Sequence, residues 1–178
     1  MLHYRVLNYT FKNLKEKNMT FEQVFDHIKN FIRIDPGGNY KLMIGTDSQV
    51  HKSQTTFITG IVIQNEGKGA WACLRKVKFP QKITNLHQKI SYETSLSEDV
   101  FTMFTQERKD AMYEMVLPHI DRGASFTIEG HIDIGAGKRN KTNMFINEMV
   151  ARIESYGAEP KIKPEAFVAS SYANRYTK

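Results

Sequence analysis

Two spacings of apolar residues divide the chain. From Lys41 to Phe79 apolar side chains alternate with polar ones or form short unbroken runs, and elsewhere they recur at three- and four-residue intervals. Phe21, Val24, Phe25, Ile28, Phe31 and Ile32 make a helical stripe, with Thr20 and Gln23 placed as a capping box and Pro36-Gly37-Gly38 as the stop. Three strands follow at 41–46, 55–63 and 70–79, joined by connections short enough for antiparallel pairing. Helical spacing returns over 86–104 and 107–117. A fourth strand covers 124–134, with Phe126, Ile128, Ile132 and Ile134 on one face and Thr127, Glu129, His131 and Asp133 on the other. A helix over 142–156 ends at Gly157, a short strand covers 161–163, and a last helix spans 165–176 behind Pro164.

Three strands followed by helix-strand-helix-strand predict a mixed α/β sheet, antiparallel at the start and parallel at the finish through right-handed crossovers. Residues 1–40 read as an N-terminal arm plus a helical extension. In the arm, Leu2, Tyr4 and Val6 alternate weakly, as in an extended segment. Residues 41–178 read as the main domain.

Composition narrows the class. The 178 residues are 40% hydrophobic and 25% charged, which suits a globular domain with a sizeable core and excludes a disordered chain. No apolar run approaches the roughly 18 residues that span a bilayer, and the first residues do not read as a signal peptide. The single Cys73 excludes an internal disulfide and fits a cytoplasmic protein. A net charge of +6 suits a polyanionic partner such as nucleic acid.

Three carboxylates stand where acids are not the default. Asp47 follows the apolar run Leu42-Met43-Ile44, and Asp133 lies near the end of the fourth strand. If these strands are parallel neighbours, both acids emerge at one sheet rim, where open α/β sheets bind ligands. On a helical wheel for 86–104, Glu93 falls on the apolar side, whereas Glu98 and Asp99 fall on the solvated side. A buried carboxylate needs a metal ion, a lysine or a polar pocket beside it. Clustered carboxylate oxygens suit hard cations such as Mg²⁺ or Mn²⁺. Two such ions about 3.5–4 Å apart can activate water and stabilise the leaving oxygen of a phosphodiester.

The order of these elements and acids resembles the ribonuclease H-like fold. The segments GTDSQ at 45–49, EGHIDIG at 129–135 and KPEAFVASSYANRYTK at 163–178 resemble the YkuK family, classed with that superfamily. The resemblance implies a three-layer fold, a five-stranded mixed sheet and helices on both faces. It implies that Asp47, Glu93 and Asp133 bind Mg²⁺ or Mn²⁺. It places Asn174 where active nucleases of the superfamily carry a further acid. An asparagine offers a carbonyl oxygen but no charge, so the chain departs from the catalytic pattern there.

Several other groups have two readings each. His131, on the face of Asp133, is a proton shuttle or a hydrogen-bonded structural histidine, and Glu129 shares its face. The stretch GAGKRNKT at 135–142 lacks the closing triplet of a nucleotide-binding P-loop. It remains a basic loop, and Lys138, Arg139 and Lys141 either contact a nucleic-acid backbone or are simply solvated. Lys76 and Lys78, on one face of an edge strand, either contact nucleic acid or discourage edge-to-edge aggregation. The expected function is a divalent-metal-dependent nuclease or phosphoryl-transfer enzyme acting on RNA, DNA or a hybrid. The alternative is a nucleic-acid-binding protein on the same fold with little or no catalysis.

Overall fold

The computed structural model describes residues 10–137, 139 and 141–177. Five strands form one sheet: β1 (Asn39–Val50), β2 (Thr55–Asn65), β3 (Gly69–Phe79), β4 (Ser125–Gly135) and β5 (Glu159–Lys163). Their order is β3-β2-β1-β4-β5. The first three pair antiparallel, and β4 and β5 join in parallel. The mixed sheet is as the spacing of the strands predicts.

Four α-helices accompany it: α1 (Phe21–Ile34), α2 (Leu86–Met103), α3 (Gln106–Val116) and α4 (Ile146–Glu154). The capping box at α1 forms as expected. Gln23 N–H donates to Thr20 Oγ1 and Thr20 N–H donates to Gln23 Oε1. These helices bury their stripes against one face of the sheet. Val24, Ile28, Leu42, Ile44, Ile61, Cys73, Val100, Phe101, Ile132 and Ile153 share one core there. At roughly 1.5–3 kcal/mol for each fully buried aliphatic or aromatic side chain, this layer supplies most of the driving force for folding.

The other face is covered by residues 168–176. They form a π-helical turn (Val168–Ala173) and a 3₁₀ turn (Asn174–Tyr176) where the sequence spacing predicts a regular helix. Val168 packs on Met43 and Val62, and Ala173 packs on Ile58 and Leu74. Close approach requires the absence of a side chain at Gly45. A Cβ there would stand 2.9 Å from the Ala169 backbone nitrogen and 3.0 Å from His131 Cβ.

Two further boundaries differ from the sequence reading. The helix expected over 142–156 begins with a 3₁₀ turn (Asn143–Phe145), and α4 covers only Ile146–Glu154. No side chain caps its first turn. β1 does not stop at Thr46 but runs to Val50, because β2 stays paired with it as far as Val50↔Thr55. Its pairing with β4 ends earlier, at Gly45↔His131. Asp47 therefore lies inside a strand, but beyond the point where β1 and β4 hold each other. Residues 1–9, the proposed extended arm, lie outside the described residues.

Candidate functional site

Asp47 and Asp133 each lie two residues beyond the last β1–β4 pair, Gly45↔His131, so they stand at equivalent positions on neighbouring strands. Alternation fixes their face. Thr46 and Ser48 turn toward α2, and Ile132 and Ile134 lie in the main core. Asp47 and Asp133 consequently turn toward the face that residues 168–176 cover. Asn174 on that segment donates to Asp47 Oδ2 at 2.9 Å. Burial and the nearby Asp133 charge raise the Asp47 pKa against the pull of the Ser48 N–H, Asn174 and Lys89.

Glu93 arrives from the opposite side of the sheet, on α2. It is 4% exposed, as its place on the helical wheel predicts. Its Oε1 accepts from Ser48 Oγ at 2.5 Å and from Lys89 Nζ at 3.1 Å. Desolvation is strong enough to push its pKa up to about 7 despite those two partners, and the Asp47 charge adds to the rise. Below this pair, Thr46 Oγ1 lies 2.9 Å from Thr59 Oγ1 and 2.8 Å from Ser97 Oγ. This hydroxyl chain fastens α2 to β1 one residue before Asp47. Glu93, Asp133, Thr46, Ser97 and His131 all line a cavity of about 10 Å³, room for about one water molecule.

The acids are thus neighbours around the strand ends, two from one face and one from the other. Among the described residues, no three acidic, histidine or cysteine side chains gather closely enough to grip a metal ion. Two lysines supply positive charge instead. Burial disfavours the Lys89 ammonium, but Glu93, Asp47 and Asp133 outweigh burial and raise its pKa. Lys163 at the end of β5 lies 2.8 Å from Asp133 Oδ1, an ion pair reached where the β4–β5 register breaks between His131 and Gly135.

The region matched by the Ribonuclease H-like family model is residues 23–178, from α1 through the 168–176 segment. The uncharacterized protein YkuK of Bacillus subtilis (strain 168) is 42% identical over 171 residues, covering 96% of this chain and 98% of the relative. The chain belongs to the YkuK-like family of the ribonuclease H-like group. No solved structure matches it significantly. Membership of this group points to a role connected with nucleic acid.

Within this family fold, Asp47 and Asp133 sit toward the ends of the two central strands, Glu93 reaches them from α2, and Asn174 touches Asp47. Lys89, Ser48 and Lys163 escape sequence reasoning. Lys89 does carry one legible signal, since it stands four residues before a buried glutamate on the same helix. His131 is structural in its hydrogen bonding. Its Nδ1 accepts from Val168 N–H at 3.2 Å, so Nε2 carries the proton and donates to Glu129 Oε2 at 2.8 Å. Burial alone would raise the Glu129 pKa, but this bond, with the Lys161 and Lys41 charges, lowers it. Glu98 is not solvated as its wheel position implies. It pairs with Arg152 of α4, which also bonds Ser91 and Ser95. Arg139 and Lys141 are exposed on the loop after β4, and Lys138 lies outside the described residues.

Proposed function

We propose that the protein is a divalent-metal-dependent phosphodiester hydrolase acting on nucleic acid. The observation that carries this reading is the placement of Asp47 and Asp133 at equivalent positions on adjacent parallel strands, with Glu93 lining the same small cavity as Asp133. The donor set is entirely oxygen and fits Mg²⁺ or Mn²⁺ in kind. As they stand the three acids are too far apart to grip an ion; drawn together around it, Asp47, Glu93 and Asp133 would hold it, and the Asn174 side chain would complete the set. Bound there, such an ion supplies Lewis acidity and a more acidic water. Lys89 must withdraw from Glu93 for that carboxylate to serve as a ligand. The exposed Arg139 and Lys141 would hold the phosphodiester backbone beside the rim, together with Lys138.

The direct test is cleavage of labelled single-stranded, hybrid and junction substrates in Mn²⁺ and Mg²⁺. Cleavage should require the metal, stop in EDTA and fall to background in Asp47→Asn. Undiminished cleavage by that variant would refute the mechanism.

A second reading is favoured by one specific feature: each of the three acids already has a partner from the chain, Lys89 on Glu93, Asn174 on Asp47 and the Lys163 ammonium beside Asp133. On that reading the rim binds nucleic acid without cutting it. Salt-sensitive binding that persists in EDTA, with no cleavage in any metal, would select it.

A further inference from the structure

A hollow of about 320 Å³ lies between residues 10–19 and β3. Lys12, Lys17 and Lys76 ring it, and Asn18, Phe11 and Leu74 complete much of its wall. Among the described residues, no carboxylate lines it. Glu16, the only acid in residues 10–19, is engaged with His27 at 2.7 Å.

The hollow is built by specific contacts. Lys12 N–H donates to Leu74 O at 2.9 Å and Leu74 N–H donates to Lys12 O at 2.8 Å, so this segment is held to the outer side of β3 by a single bridge. Phe11 is 1% exposed and pairs with Met19 through two further backbone bonds. Asn13 Oδ1 accepts from the Lys15 and Glu16 N–H groups and fixes the turn between them. An edge lysine can serve simply to blunt strand-to-strand association, which accounts for Lys78. That role does not explain Lys12 and Lys17, which come from a different segment and meet Lys76 around one concavity.

Register connects this place to the acidic rim. Lys76 pairs with Ile58, and Ile58 pairs with Asp47. The three side chains share one face of the sheet, so Lys76 stands two strand spacings, about 10 Å, from Asp47. Between them lies the surface carrying Tyr172 and Tyr176, which pack over Ile58 and Leu74.

We infer that the Lys12–Lys17–Lys76 hollow is a phosphate-binding site that holds the backbone of a nucleic-acid strand passing to the Asp47 rim. Three ammonium groups with no acid in the wall suit a phosphodiester, which carries full charge and no sequence information at this point. The inference rests on nucleic acid being the ligand of the rim, but not on its being cut there.

The test is fluorescence anisotropy with labelled oligo(dT) in EDTA, over a series of salt concentrations. Lys12→Gln/Lys17→Gln/Lys76→Gln should weaken binding by about tenfold or more and flatten the salt dependence by about two phosphate contacts' worth of slope. Lys29→Gln/Lys41→Gln/Lys68→Gln removes the same charge elsewhere, on α1 and at the opposite end of the sheet, and should change both quantities much less. Equal losses in the two triple variants would overturn the inference, as would a wild-type protein that does not bind the oligonucleotide. Cleavage plays no part in this readout, so failure of the nuclease reading leaves its own separate signature.

Discussion

Glu93 is the residue whose environment has the clearest measurable consequence. Its folded pKa of about 7 lies above its ordinary value of 4.5. Between those values the folded chain holds a proton that the unfolded chain has released, so stability falls as pH rises through that window. The fall amounts to about 3 kcal/mol at most. Asp47, also raised, acts in the same sense. Glu129, lowered, acts in the opposite sense, since its contribution is present at neutral pH and is lost in acid. Urea midpoints measured in EDTA from pH 4.5 to 7 should decline for the wild type, and Glu93→Gln should remove most of that decline. Lys89→Met leaves the Glu93 charge without its cation and should cost about 3 kcal/mol at pH 8, less at pH 5 where Glu93 is protonated. Asn174→Asp places a carboxylate where the resemblance to active nucleases of the superfamily implies a further acid, but sets it against Asp47. Without metal its melting temperature should drop. With Mn²⁺ the drop should be reversed, and Mn²⁺ affinity measured by calorimetry should rise about tenfold. The buried glutamate was legible because helical periodicity alone places it on the apolar side. Of the lysines that answer the acids, Lys89 is legible only through its i,i+4 spacing from Glu93, and Lys163 is not legible at all. Lys163 reaches Asp133 only through a register break, and no spacing in the sequence encodes that.

Among the elements, the segment 168–176 decides how closely the two-faced site is held together. It rests on Gly45 and Gly60, where backbone or ring atoms of Ala169 and Tyr172 occupy the space of a side chain. Gly45→Ala forces a Cβ against backbone, which cannot swing aside, and should destabilise the protein by about 1–3 kcal/mol in urea unfolding. It should also speed hydrogen exchange selectively at 168–176, because that segment is the one displaced. The antiparallel-to-parallel change and the cap of α1 followed from alternation, short turns and the Thr20–Gln23 pair, whereas the strand order, with β1 beside β4, is read from the structure. The π-helical form of 168–173 did not follow. Its apolar residues keep a roughly helical spacing, and nothing in that spacing distinguishes a π turn from a regular α turn. α4 is shorter than its stripe at both ends, and its first turn has no side-chain cap to fix where it starts.

At the scale of the whole molecule, the acids meet around the ends of the central strands rather than inside one pocket. Asp47 and Asp133 belong to the face under residues 168–176, and Glu93 belongs to the α2 face. The +6 charge of the chain surrounds this small acidic rim with cations on loops, edge strand and N-terminal segment. Such an arrangement draws a polyanion toward a place where only a bound cation or a lysine can offset the carboxylates. The central claim is that a divalent ion is that cation in the working protein. Anomalous diffraction from crystals grown with Mn²⁺ tests it most directly. The account predicts a manganese peak coordinated by Asp47, Asp133 and Glu93, with the Lys89 ammonium moved off Glu93. Well-diffracting crystals with Lys89 still bonded to Glu93 and no manganese at the three carboxylates would contradict it.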